Sequence, residues 1–101
     1  ISPDYTAEWR GFLDIPESGT YRFSLRSDDV SWLRLDGKEV AKACCAEGGN
    51  SGHGSMTLSK GKHRLEVEYQ EWSGLNYLEL LWQGPGMPAM EVIPAGAYWL
   101  P

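Results

Sequence analysis

Histidine and cysteine are scarce in this 101-residue chain, with two of each, and basic residues are outnumbered by acidic ones, 9 to 14. Each shortage excludes something. A net charge of −5 argues against nucleic-acid partners, because that binding is driven by Lys and Arg neutralising phosphates. It argues equally against anionic membrane surfaces. No run approaches the ~20 apolar residues that a membrane-spanning helix needs, so membrane insertion is not expected. His53 and His63 are the whole histidine supply, and a Ser- or Cys-based relay with an orienting acid finds little to work with. The two cysteines, Cys44 and Cys45, are adjacent. Their α-carbons sit ~3.8 Å apart across a trans peptide, below the usual disulfide span of ~4.4–6.8 Å. A strained vicinal disulfide, two free thiols and intermolecular pairing all stay open. The pair cannot staple distant segments, and adjacency suits zinc badly, since roughly two to four residues usually separate paired cysteine ligands.

Amphipathic helices, internal repeats and low-complexity tracts are also missing. What replaces them is alternation of period two. Tyr21, Phe23 and Leu25 share one face against Arg22, Ser24 and Arg26. Leu33 and Leu35 oppose Trp32 and Arg34; Leu65, Val67 and Tyr69 oppose Arg64, Glu66 and Glu68; Leu78, Leu80 and Trp82 oppose Tyr77, Glu79 and Leu81. Half-buried antiparallel strands give this pattern. Turn signals separate the strands at Glu17-Ser18-Gly19, Asp36-Gly37, Lys60-Gly61 and Ser73-Gly74, Asp36-Gly37 being the clearest hairpin. One stretch, 41–55, is rich in glycine and is expected to be a long irregular loop. The fold class is therefore all-β, an antiparallel β-sandwich. Residues 1–101 read as a single domain, and the start at Ile1-Ser2-Pro3, with no secretory signal before it, suggests excision from a larger protein.

The strand 21–27 ends on Asp28-Asp29. Neighbouring carboxylates repel unless a cation or hydrogen-bond donors hold them, and hard cations such as calcium take oxygen ligands. A solvated polar turn is the plain alternative. Glycosidic chemistry needs two carboxylates ~5–10 Å apart across a cleft, which an adjacent pair on one strand end does not provide. The chain is read as a non-enzyme. Among its five tryptophans, Trp82 shares the phase of Leu78 and Leu80 and belongs to the core, while Trp9 and Trp99 are expected to close the ends of the sandwich.

Around the acidic pair the sequence resembles a PA14 domain. The resemblance runs through Ile15-Pro16-Glu17-Ser18-Gly19-Thr20-Tyr21-Arg22-Phe23-Ser24-Leu25, Ser27-Asp28-Asp29 and Leu33-Arg34-Leu35-Asp36-Gly37-Lys38. It continues through 61–69, 78–86 and Ile93-Pro94-Ala95, so that it covers about Trp9 to Tyr98 in order. Two departures stand out: Val30 replaces the usual glycine after the pair, and the first strand upstream of Trp9 looks short or missing. The resemblance implies a β-sandwich carbohydrate-binding module of an extracellular or cell-surface protein, of lectin or adhesin type and monomeric within a multidomain chain. Its partner would be a glycan or polysaccharide. It further implies that Asp28 and Asp29 bind calcium, which in turn holds vicinal sugar hydroxyls. The loop after Tyr69 should lie beside them, where lectin members supply an asparagine. Glu71 takes that place here, with Gln70 and Asn76 as alternatives. Trp72 in the same loop, and Trp32 just past the pair, offer indole faces to a sugar ring, although Trp32 would serve equally as cover for a neighbouring strand. A metal-free spacer or protein-interaction module is the alternative from a different functional class.

Overall fold

The computed structural model describes residues 5–28, 30–44, 50–71 and 77–99. These form β1 (Tyr5–Ile15), β2 (Gly19–Asp28), β3 (Val30–Leu35), β4 (Lys38–Ala43), β5 (Asn50–Leu58), β6 (Gly61–Glu71), β7 (Tyr77–Gln83), β8 (Glu91–Val92) and β9 (Tyr98–Trp99), with a 3-10 turn at Ala95–Ala97. Two antiparallel sheets result, ordered β4-β3-β6-β1-β9 and β5-β2-β7-β8. The alternating residues read from the sequence are the ones buried between them. Tyr21, Phe23 and Leu25 join Leu33, Leu35, Leu65, Val67, Leu80 and Trp82 in one cluster. Each full burial of this kind is worth about 1.5–3 kcal/mol. Tyr21 keeps its phenol satisfied while buried: its hydroxyl donates to the Glu17 carbonyl at 2.7 Å, closing the turn before β2. Leu81, expected on the outer side, is buried as well, because β8 extends the sheet and pairs Val92 against it.

Two expectations need correction, while upstream of Trp9 only Tyr5–Glu8 is described as strand, as part of β1 itself, which pairs with β6 from Tyr5↔Glu71 to Ile15↔Gly61. The glycine-rich stretch 41–55 is mostly strand, with 41–43 in β4 and 50–55 in β5, while residues 45–49 lie outside the described residues. The physical reason for its glycines is close approach. A Cβ at Gly52 would overlap the Lys42 carbonyl, and one at Gly54 the Val40 carbonyl, so β4 lies main chain against main chain on β5. A register shift between Leu33 and Arg34, which skips Val40, brings that carbonyl inward. Finally, Trp9 and Trp99 do not close the sandwich ends. At 49% and 48% exposure they border an apolar groove of about 410 Å³ along β1, β7 and β9, floored by Leu25, Leu65, Val67, Leu78 and Leu80.

The hairpin read at Asp36-Gly37 is present, with φ of +52° and +81° at its two central residues, the left-handed values of a two-residue hairpin turn. Asp36 also ties this turn to β6. Its main-chain N–H donates to the Arg64 carbonyl at 2.9 Å, and its carboxylate accepts from the Arg64 N–H at 3.1 Å and from His63 Nδ1 at 2.6 Å. His63 Nε2 faces the Ser59 carbonyl at 2.7 Å. Both ring nitrogens therefore meet acceptors, an arrangement that the doubly protonated imidazolium satisfies.

Burial works against charge on His63, but the hydrogen bonds to Asp36 and Ser59 outweigh it and raise the pKa above 6.5. Burial likewise opposes ionisation of Asp36, and the His63 and Arg64 contacts outweigh it, lowering that pKa below 3.8. The His63 contribution is complete below 6.5 and is lost as pH rises through its elevated value. The Asp36 contribution is complete above 3.8 and is lost as pH falls through its lowered value. Since the Asp36 side chain is 43% exposed, screening limits the pair to roughly 0.5–1 kcal/mol. Denaturant unfolding from pH 6 to pH 9 is expected to show a loss of that size, absent in His63→Gln. A variant with the same pH profile as the parent would show that the clamp carries no stability.

Candidate functional site

The strand registers decide what surrounds the acidic pair. Asp28, the last residue of β2, lies opposite Tyr77, the first of β7. Val30, the first of β3, lies opposite Gln70 of β6, and Glu71 ends β6 opposite Tyr5. Ser27 pairs with Asn50 at the start of β5, and Ser31 with Ala43 at the end of β4. Seven strand ends thus meet at one end of the sandwich. Two neighbouring connections cross between the sheets there, 28–30 from β2 to β3 and 71–77 from β6 to β7. Asp29, Trp72 and Asn76 lie outside the described residues, and Asp28 and Glu71 are fixed here by their strand positions. The alternative ligand Gln70 is half-buried on β6.

Beneath the acidic crossing lies a feature that sequence reasoning missed. Ser27 and Ser31 are both 0% exposed, and their hydroxyls are hydrogen-bonded to each other at 2.7 Å. One belongs to β2 and the other to β3, so the bond ties the two sheets at the point where the chain passes between them. Asn50 adds a further buried polar residue beside Ser27. The signal was available: continuing the phase of Tyr21, Phe23 and Leu25 places Ser27 inward, and continuing Leu35 and Leu33 backwards places Ser31 inward. A serine at a core phase on each side of an acidic pair marks a polar floor under it.

Trp32 belongs to a different surface. It is half-buried on the outer face of β3, opposite Glu68 of β6 and Lys42 of β4, with Lys42 Nζ 5.5 Å from its ring centre. An ammonium at that distance is held by the ring's π face. Cys44 directly follows β4 at the acidic end and is disulfide-bonded; the chain's other cysteine, Cys45, lies outside the described residues. The histidines are far from forming a relay. His53 stands on β5, in the four-stranded sheet, and His63 on β6, in the five-stranded one. Among the described residues no group of three His, Cys, Asp or Glu gathers as a metal site.

The chemistry of the acidic end nevertheless suits a hard cation. Ser27, Asp28, Ser31, Asn50, Gln70, Glu71 and Tyr77 converge there by register. Every one offers oxygen, and Arg26, the nearest arginine on β2, is engaged by Glu79 at 3.4 Å. Oxygen-rich surroundings with carboxylates are what calcium prefers. The buried serine pair is expected to stiffen this crossing. In a double-mutant cycle of Ser27→Ala and Ser31→Ala, thermal unfolding should give a coupling of about 1 kcal/mol. Strictly additive losses would mean that the two hydroxyls do not depend on each other.

The family model for the PA14 domain matches residues 1–95. Among solved structures, the chain is similar to a PA14 sugar-binding domain from an RTX adhesin, at 26% identity and a TM-score of 0.79, covering 95% of this chain and 54% of that one. It is similar in fold to Epithelial Adhesin 6 A domain from Candida glabrata in complex with Galb1-3GlcNAc, at 11% identity and a TM-score of 0.81, covering 97% and 51%. An anti-sigma factor domain-containing protein from Clostridium clariflavum shares the fold at 22% identity and a TM-score of 0.85, covering 99% and 34%. The chain spans about half the length of the adhesin structures it matches. No curated relative matches it.

Proposed function

The chain belongs to the PA14 domain family, and on that premise we propose that it is a carbohydrate-binding module of an extracellular or cell-surface protein, using calcium held at Asp28-Asp29. The observation that carries this reading is the register itself. It brings the end of β2, the end of β6 and the start of β7 to one place, with a buried polar floor beneath. The similarity to a sugar-binding adhesin domain supports the ligand class. Asp28 and Asp29 would supply carboxylate oxygens, and Glu71 a third acidic ligand, with Gln70 and Asn76 as the neutral alternatives nearby. A calcium ion keeps coordination positions that a sugar diol fills in place of water.

The remaining work falls to the chain's own residues. The Ser27–Ser31 bond joins β2 to β3 on either side of the acidic pair. Trp72 follows β6 in sequence, and its indole would cover an apolar face of the sugar ring while the hydroxyls are held at the cation. Trp32 faces a separate surface beside Lys42, so its part in ligand contact would be peripheral. A binding role fits better than a catalytic one, because the two histidines stand in different sheets and His63 has both nitrogens engaged.

Calcium is expected to stabilise the fold. At 100 times its Kd a ligand adds about 2.7 kcal/mol to the native state, so melts with millimolar calcium and with chelator should differ by several degrees, and Asp29→Asn should erase the difference. Superimposable curves for the parent protein would leave the metal-free spacer reading in place. Trp72→Ala is expected to weaken sugar affinity by on the order of 1–2 kcal/mol while preserving the calcium shift. Glycan-array binding followed by titration of the best ligand measures the first, and the same melts measure the second. Unchanged sugar affinity would remove Trp72 from the site.

A further inference from the structure

Four of the five arginines are neutralised on the surface: Arg10 by Glu8, Arg26 by Glu79, Arg34 by Glu68 and Arg64 by Glu66. Arg22 is the exception, with no ion pair among the described residues. In a chain where acids outnumber bases 14 to 9, an arginine left without a carboxylate goes against composition. Its position is specific. Arg22 sits on the outer face of the four-stranded sheet, between Ser55 of β5 and Gln83 of β7. With His53, Ser55 and Met90 it lines a cavity of about 210 Å³.

The cavity's surroundings are donors without charge of their own. The row beyond Arg22 pairs Ser24 with His53, and the row before it pairs Thr20 with Thr57, whose hydroxyls are hydrogen-bonded at 3.0 Å. Ser24 is wholly buried, and its hydroxyl has no hydrogen-bond partner among the described residues. A buried polar atom in that condition is uncommon in native structures and asks for an explanation. The nearest acid on this face by register, Glu79, lies two rows away and is already taken by Arg26. The guanidinium of Arg22, the imidazole of His53, the hydroxyl of Ser55 and the thioether of Met90 therefore line a small concavity, with the buried Ser24 hydroxyl one row along the same strand. Planar oxyanions are what an arginine fork recognises in bidentate fashion.

We propose that this cavity is an oxyanion subsite that takes the acidic group of a charged oligosaccharide, a uronate carboxylate or a sulfate ester. Arg22 provides the charge and the two parallel N–H donors. His53 and Ser55 add directional hydrogen bonds, and Met90 lies against the apolar side of the sugar ring. The net charge of −5 disfavours densely charged polyanions, so the fit is to an isolated acidic sugar residue and not to a nucleic-acid backbone. The subsite is distinct from the acidic end. Arg22 precedes Asp28 by six residues of extended strand, ~20 Å at 3.3–3.4 Å per residue, and it faces outward from the sheet.

Calorimetric titration of the intact chain tests this with three probes of one length: a glucuronate-containing oligosaccharide, its sulfated counterpart and the neutral parent sugar. Each is run with calcium and with chelator. At least one acidic probe is expected to bind ~tenfold tighter than the neutral one, the preferred acid naming the group. Arg22→Gln should abolish that preference, Arg22→Lys should restore it in part, and the preference should survive chelation. Arg22 is exposed, so an unshifted melting curve will certify the fold of both variants. Equal binding of acidic and neutral probes, or a preference untouched by Arg22→Gln, overturns the subsite. Since the chelator arm reads the cation site separately, the failure of either reading is distinguishable from that of the other.

Discussion

The sandwich is organised around the place where β4 lies against β5. The Lys42 and Val40 carbonyls occupy the space that side chains at 52 and 54 would need, so the main chains of β4 and β5 approach closely there. Glycine is the one residue that permits this contact. On the other side, β1 and β7 leave the apolar groove bordered by Trp9. Phe23, Leu25, Leu33, Leu35 and Ala43, together with Leu13 and Ile15 of β1, are 0% exposed, while Leu65, Val67 and Leu80 at the groove are 6–9% exposed. A main-chain contact that admits no side chain also fixes the registers tightly, since one step of slip would exchange inner and outer faces.

Those registers give the two ends of the sandwich different characters. One end carries the Asp36 hairpin, held by opposite charges: a carboxylate between an imidazole and a main-chain N–H. The other gathers carboxylates, hydroxyls and amides by strand position. The first arrangement neutralises itself internally. The second carries two buried serines hydrogen-bonded to each other across the sheets, beside Asp28 at the end of β2 and Glu71 at the end of β6. The Ser27–Ser31 pair matters because it joins the two sheets at the second end without adding charge of either sign.

PA14 membership rests on a match over residues 1–95, and adhesin domains of the same fold are sugar-binding by description or are complexed with a disaccharide. An anti-sigma factor domain-containing protein shares the fold equally well. The fold is therefore a platform, and chemistry at its end and faces decides what it holds. Two features of this chain stand apart: the acidic pair at the end of β2, and Arg22 on the outer sheet face, with no ion pair among the described residues.

Much of the fold was legible in the residues themselves. Period-two alternation identified the inner residues of β2, β3, β6 and β7, and Asp36-Gly37 identified its hairpin, because both depend on local geometry: side chains alternate along a strand, and a two-residue turn requires positive φ. The acidic pair was legible for a similar reason, being an electrostatic conflict between neighbours in sequence. The sequence misled where the cause was distant. Glycines at 52 and 54 looked like a loop, yet their reason is a strand about a dozen residues earlier that passes too close for a Cβ. Trp9 and Trp99 looked like end caps, yet they border the apolar groove. Arg22 read as one more outward charge, since only strand pairing shows that Ser55 and Gln83 are its neighbours and that no carboxylate is. Sequence by itself determined which face each strand residue takes. Tertiary structure decided which strands meet, and hence which polar groups find partners, because pairing between distant segments depends on the whole set of registers and not on any one stretch of chain.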